Sequence, residues 1–86
     1  MNKVFTDIAW EQYLYWINAD KKILKRINDL INDIERNGNE GLGKPEPLKH
    51  ELSGFWSRRI TDVHRLVYYF DDKNINIVKC KNHYKE

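Results

Sequence analysis

The side chains best suited to acid–base and anion chemistry crowd into the second half of the sequence: Glu46, Lys49, His50, Arg58, Arg59, His64, Arg65, His83 and Tyr84. A carboxylate, an imidazole and several guanidinium groups are what metal-free cleavage of RNA asks for. A base takes the 2′-hydroxyl proton, an acid protonates the leaving 5′-oxygen, and cations balance the charge that builds on the phosphorane. Arginine suits the last task because it stays charged and its fork matches phosphate oxygens. The carboxylate has an unusual setting. Glu46 stands between the only two prolines of the chain, in KPEPLKH over residues 44–50. Each proline pushes the residue before it out of the α region, which predicts extended backbone at Lys44 and Glu46 and a base aimed before substrate arrives.

Other chemistries fit less well. Cys80 and His83 have ligand-like spacing, but one cysteine and scattered histidines make no paired motif, so no metal or other cofactor is expected. Cys80 falls in an apolar strand and reads as a small buried hydrophobe rather than a nucleophile. GLGK lacks the spacing of a phosphate-binding loop and runs into Pro45. Structural roles compete with chemical ones at several positions. Arg58 and Arg59 are neighbours on a strand, so they leave on opposite faces and one at most enters a given cleft. Arg65 shares parity with Val67 and Tyr69 and would serve equally as a salt-bridged structural arginine. His83 stands close to the chain end, where order is least expected. His50 and His64 read as structural or solvent-exposed.

The elements that must position these groups divide into a helical half and a strand half. Thr6 or Asp7 caps a helix running to about Asn18, with Ala9, Trp10, Tyr13, Leu14, Trp16 and Ile17 as its broad apolar set. Asp20 caps a second helix, in which Ile23, Leu24, Ile27, Leu30, Ile31 and Ile34 recur at three- and four-residue steps up to a C-terminal Gly38. The stretch from Asn39 to Gly54 holds three of the four glycines and both prolines and reads as a loop. FWSRRIT, RLVYYF and NINIVKCK then read as three strands, the last two joined by a short turn at residues 71–74. Residues 66–70 are apolar on both parities, so both sheet faces are at least partly covered. The expected fold is α+β: two N-terminal helices packed on a small, largely antiparallel sheet, with residues 1–86 forming a single domain.

Three runs, KPEPLKHELSGFWSRRITDVHRLVYYF, WEQYLYW and KNHY, resemble the YoeB family of bacterial toxins, within the RelE superfamily of type II toxin–antitoxin systems. The likeness covers essentially the whole chain, and GKPEPLKH-x-LSGFWSRRI is its most specific stretch. It implies a RelE-like, microbial-RNase-like fold and a toxin that inhibits translation as a ribosome-dependent, metal-independent endoribonuclease. Such a toxin cuts mRNA in the A site of the 70S ribosome and is neutralised by a YefM-type antitoxin. By the resemblance, Glu46 takes the general-base place, Arg65 the phosphate-stabilising place and His83 the general-acid place. Tyr84 falls where the family has a substrate-contacting aromatic, and Lys49, Arg58 and Arg59 where it has phosphate-contacting cations. The tail departs from the family pattern, because Lys85 and Glu86 follow the tyrosine at which that pattern ends or nearly ends. An extra charged pair beside the acid bears on its protonation and on substrate fit.

Charge and composition are consistent with an RNA partner without demanding one. The net charge is +2. Residues 1–43 hold six Lys/Arg against seven Asp/Glu, and residues 44–86 nine against six, so cations gather in the half that carries the candidate site. The start, MNKVFTDIAW, lacks the apolar run of a signal peptide, and no stretch approaches the ~20 apolar residues of a membrane span. The expectation is a cytoplasmic protein with no membrane partner, and the exposed aromatics are compatible with a homodimer. At its ordinary pKa of about 4.3 a glutamate is a weak base for a hydroxyl, and substrate phosphate with loss of water would strengthen it. The free protein is therefore expected to be a poor nuclease that the ribosome completes. The alternative from another class is a non-catalytic RNA- or ribosome-binding module that blocks translation by occupancy.

Overall fold

Capping chemistry delimits the helices. Residues 1–84 are described by the computed structural model; Lys85 and Glu86, with the tail effect expected of them, lie outside the described residues. Thr6 Oγ1 accepts from the Ala9 N–H at 3.0 Å and opens α1 (Asp7–Ala19). Asp20 Oδ1 accepts from Lys22 and Ile23 and opens α2 (Lys21–Asn37). Each such cap contributes about 1 kcal/mol by satisfying N–H groups that have no partner within the helix. Gly38 ends α2 at φ +65, with its N–H donating to the Ile34 carbonyl.

A five-stranded sheet follows the order β1-β5-β4-β3-β2. Its strands are β1 (Asn2–Phe5), β2 (Glu46–Pro47), β3 (Trp56–Arg59), β4 (Arg65–Phe70) and β5 (Asn74–Lys79). β1 runs parallel to β5, and the other three pairings are antiparallel. The β4–β5 turn is closed by Asp71 Oδ1, which accepts from the N–H groups of Lys73 and Asn74. Both helices pack on β5, and the core lies between them and one sheet face. Ile27, Leu30 and Ile34 of α2 meet Leu66, Tyr68, Ile75 and Ile77 of the sheet, all essentially without solvent contact. Each such aliphatic side chain stabilises the fold by about 1.5–3 kcal/mol relative to exposure. The face away from the helices stays open and carries the candidate site.

The expected fold class is observed, with three differences in detail. The Gly/Pro-rich loop contains a paired element, since Glu46 and Pro47 form the two-residue edge strand β2. Lys44 is not extended but has φ +51, directly after Gly43 at φ +79. Gly43 lies flat on β3: its carbonyl accepts from the Arg59 N–H at 2.7 Å, and a Cβ there would stand 2.9 Å from Leu30 Cδ2 and 3.1 Å from the Arg59 carbonyl. The chain reverses at these two residues to lay Glu46 beside β3. Trp16 joins the core, but Trp10 is 48% exposed and leaves the helical face incomplete.

Candidate active site

Strand alternation places the chemistry in rows. Trp56 and Arg58 turn toward the helices, so Ser57 and Arg59 turn to the open face. Glu46 stands opposite Ser57, Ser57 opposite Val67, and Val67 opposite Lys79. A β-bulge makes the last pairing, because Tyr68 pairs with Ile77 and Val67 with Lys79, leaving Val78 as the extra residue. The bulge turns Lys79 out and sends Cys80 into the core. One row along, Arg59 stands opposite Arg65. One row the other way, Phe55 and Tyr69 stack at 5.3 Å between ring centroids, with 17° between their planes. The open face thus runs from an aromatic row through an acid row to a cation row, about 7 Å apart along the strands.

The C-terminal segment crosses this face. Its root is fixed by α1: the Cys80 N–H donates to Gln12 Oε1 at 2.7 Å, and Trp16 Nε1 donates to the Cys80 carbonyl at 2.9 Å. Lys79 Nζ donates to the His83 carbonyl at 3.0 Å. The hydroxyls of Tyr84 and Ser57 lie 3.1 Å apart, so Tyr84 ends on the residue directly opposite Glu46. The His83 and Tyr84 rings are 4.7 Å apart, and His83 is exposed. Tyr84 thereby reaches along the acid row to the strand beside Glu46, while His83 is tied to Lys79 at the β5 end of that row. Arg65 stands two strands and one row away from Glu46, roughly 12 Å between backbones by strand spacing and rise, a gap that two long side chains and a phosphate group can fill.

The two open-face arginines differ in how they are held. Arg65 is 8% exposed, and its Nη1 donates to the carbonyls of Thr61, Asp62 and His64 at 2.7–3.2 Å. Nε and Nη2 have no protein acceptor among the described residues. One edge of the guanidinium anchors it, and the other is without a partner among the described residues. Arg59 is exposed, and its backbone N–H is spent on Gly43. Like charges directly opposite on a sheet repel, a cost that an anion between them removes.

Arg58 corrects the expectation that it contacts phosphate. It has no solvent contact, and all five of its N–H directions are used. Nε donates to Tyr68 OH, Nη1 to Asp33 Oδ2 at 2.5 Å and to the Leu42 carbonyl, and Nη2 to the carbonyls of Gly38 and Glu40. It pins the 38–42 loop to the back of the sheet. Asp33 is held below its ordinary value by the Arg58 hydrogen bond first and the Leu42 N–H next. Lys49 is exposed at the start of the 3₁₀ turn His50–Leu52, beyond the end of β2 rather than within the rows.

The site is an open face, not a cavity. A hollow of about 440 Å³ lies elsewhere, against Lys3, Phe5, Tyr13, Asn28, Ile31 and Asn32, and its lining holds no cluster of catalytic groups. Sequence reasoning missed Ser57, which stands between Glu46 and Tyr84; His64, read as structural or solvent-exposed, is half-buried, and its Nδ1 accepts from the Asn82 N–H at 2.8 Å. Nothing local marks Ser57; only its register opposite Glu46 does. Among the described residues no group of His, Cys, Asp and Glu has the arrangement of a metal centre. No described helix is long and apolar enough to cross a membrane.

Comparison with known proteins bears on the family and the fold. Residues 5–84 match the family model of the YoeB-like toxin of bacterial type II toxin–antitoxin systems. Toxin YoeB of Escherichia coli strain K12 is 55% identical over 84 residues, covering 98% of this chain and all of the relative. Among solved structures, the YoeB dimer from Staphylococcus aureus superposes with a TM-score of 0.93 at 52% identity, covering 98% of both chains. The YoeB–YefM complex from Staphylococcus aureus superposes with a TM-score of 0.91 at 50% identity, again covering 98% of both chains.

Proposed function

The chain belongs to the YoeB-like toxins of bacterial type II toxin–antitoxin systems, and from that premise we propose that it is a ribosome-dependent endoribonuclease cutting mRNA in the A site by acid–base chemistry. The observation that carries this reading is the junction of Glu46, Ser57 and Tyr84 beside the facing pair Arg59 and Arg65. In the proposed step the Glu46 carboxylate takes the 2′-hydroxyl proton and the freed oxygen attacks phosphorus. Arg65, through Nε and Nη2, balances the phosphorane charge together with Arg59. His83, as the imidazolium, gives its proton to the leaving 5′-oxygen. The products are a 2′,3′-cyclic phosphate and a 5′-hydroxyl. Because the nucleophile belongs to the substrate, the step asks for no metal-bound water.

The openness of the site supports dependence on the ribosome. Glu46, Arg59 and His83 are exposed, and among the described residues His83 is held only through its backbone carbonyl and the neighbouring residue. Bending the RNA for in-line attack and excluding solvent are left to the decoding centre, and together these effects span several orders of magnitude in rate. Tyr69 and Phe55 supply ring surface for a neighbouring base, where stacking contributes about 1–3 kcal/mol.

Partner docking follows from the exposed apolar side chains of α1. Ile8, Trp10, Leu14, Tyr15 and Ile17 are all more than a third exposed, a concentration that suits a second copy of the chain or an antitoxin. The relatives solved as a dimer and as a complex with YefM make a YefM-type antitoxin and a homodimer the proposed partners.

Cleavage in a translating extract tests the proposal. Glu46→Gln and His83→Gln should each reduce cutting by about 10²-fold or more while leaving the protein folded. Undiminished cutting by either variant removes that residue from the mechanism.

A further inference from the structure

His64 lies at the turn between β3 and β4, outside the rows that carry the proposed chemistry. Its ring edge packs on Trp16 at 4.8 Å between centroids and 76° between planes. Its Nδ1 takes the Asn82 backbone N–H at 2.8 Å. A backbone N–H can only donate, so Nδ1 carries the lone pair and the ring proton sits on Nε2. The Asn82 carbonyl in turn accepts from the Arg65 N–H at 3.1 Å. Asn82 is therefore gripped on both sides of its peptide by consecutive residues of one turn. It holds φ +63, a left-handed conformation that asparagine tolerates and most residues avoid.

The grip comes one residue before His83. The segment leaves β5 at Lys79, is tied to α1 through Cys80, and reaches the open face again at the Tyr84 hydroxyl. Between those ties Asn82 is the hinge, and its backbone angles decide where the next two side chains stand. We propose that His64 is a positioning residue: the Nδ1 lone pair, with the Arg65 N–H, locks Asn82 in its left-handed conformation and so sets His83 and Tyr84 over the acid row. The turn that presents Arg65 and the tail that presents His83 are thus built as one unit, in which the phosphate-holding group and the proposed acid keep a fixed relation. The effect on cleavage rests on the reading of His83 given above; the effect on the tail does not.

Two substitutions separate packing from the acceptor. His64→Phe keeps an aromatic ring against Trp16 and removes the lone pair. His64→Asn loses the ring but keeps an acceptor, since Oδ1 stands at the same number of bonds from Cα as Nδ1. The experiment reads amide chemical shifts and hydrogen exchange at Asn82, His83 and Tyr84 in the full chain, thermal midpoints, and single-turnover cleavage on ribosomes. In His64→Phe the expected result is faster exchange at Asn82, displaced signals for His83 and Tyr84, and a roughly tenfold to hundredfold slower cleavage step with ribosome binding unchanged. His64→Asn should restore the tail signals and most of the rate even where its thermal midpoint is lower. Tail signals and exchange unchanged in His64→Phe overturn the proposal. If His64→Phe does not fold, a folded His64→Asn whose tail signals are displaced overturns it instead. A displaced tail with full cleavage leaves the positioning in place and removes His83 and Tyr84 from the chemistry.

Discussion

The hydroxyls of Ser57 and Tyr84 lie 3.1 Å apart, and Ser57 stands directly opposite Glu46 on the neighbouring strand. This contact joins the last described residue of the chain to the proline-flanked acid. Tyr84→Phe removes one neutral hydrogen bond, worth about 1 kcal/mol, and keeps the ring. Tyr84→Ala removes both. Cleavage on ribosomes should fall by about fivefold in the first variant and substantially further in the second. Equal losses in the two would mean that the hydroxyl, not the ring, carries the contribution of Tyr84.

Arg58 and Arg59 are adjacent in sequence and opposite in role. Arg58→Met strands the carbonyls of Gly38, Glu40 and Leu42 and leaves the Asp33 carboxylate unpaired. It should destabilise the fold by about 3–5 kcal/mol in equilibrium urea denaturation. Arg59→Ala should change stability by no more than about 0.5 kcal/mol and flatten the salt dependence of RNA binding by about one charge. A stable Arg58→Met protein with weakened RNA binding would reverse the assignment.

The Arg58 finding bears on what the sequence can reveal. Thr6, Asp20 and Gly38 bracket the helices by local chemistry, and the three- and four-residue spacing of isoleucines and leucines in α2 identifies its buried face. The phosphate contact expected of Arg58 came from the family resemblance, and strand parity had left open which of Arg58 and Arg59 enters the cleft. The parity of Arg58 with Trp56 and Ile60, both turned to the core, is the local sign that it is buried. The two-residue strand at Glu46 and the left-handed Lys44 depend on how Gly43 meets β3, a contact between distant parts of the chain that no window of sequence contains. The same holds for the tail, where His64 and Asn82 meet only after the sheet has formed. In the site, residue types were legible and parity put Arg58 and Arg59 on opposite faces, while the cross-strand register that makes the rows, the Ser57 junction and the bulge at Val78 were not.

Acid stability should fall in two separable stages. Burial, and after it the charge of Lys81, hold His64 below the ordinary imidazole value. The unfolded chain then takes up a proton near pH 6.5 that the folded chain resists, so stability is full above about 6.5 and declines as pH falls through the lowered folded value. Asp33 follows the same sign at lower pH: its contribution is present above 3.8 and is lost as pH falls through its depressed value. Urea midpoints measured from pH 8 to pH 3 should show both stages. His64→Asn should abolish the first and leave the second.

Cys80 should be inert while the protein is folded. Burial pushes its thiol up to about 12, and its Sγ points at the Ala9 carbonyl. Iodoacetamide at pH 8 should leave the native protein unmodified and alkylate it promptly in denaturant, as followed by intact mass. Fast labelling of the native chain would show that the β5–α1 contact opens readily.

Ribosome-bound cleavage by Glu46→Gln tests the central claim most directly. The variant should bind translating ribosomes at least as well as the unaltered protein and leave transcripts intact. Under the same conditions the unaltered protein should generate new 5′ ends that follow the reading frame. Cutting by Glu46→Gln at the unaltered rate, or arrest of translation by the unaltered protein with no new 5′ ends, would contradict the account.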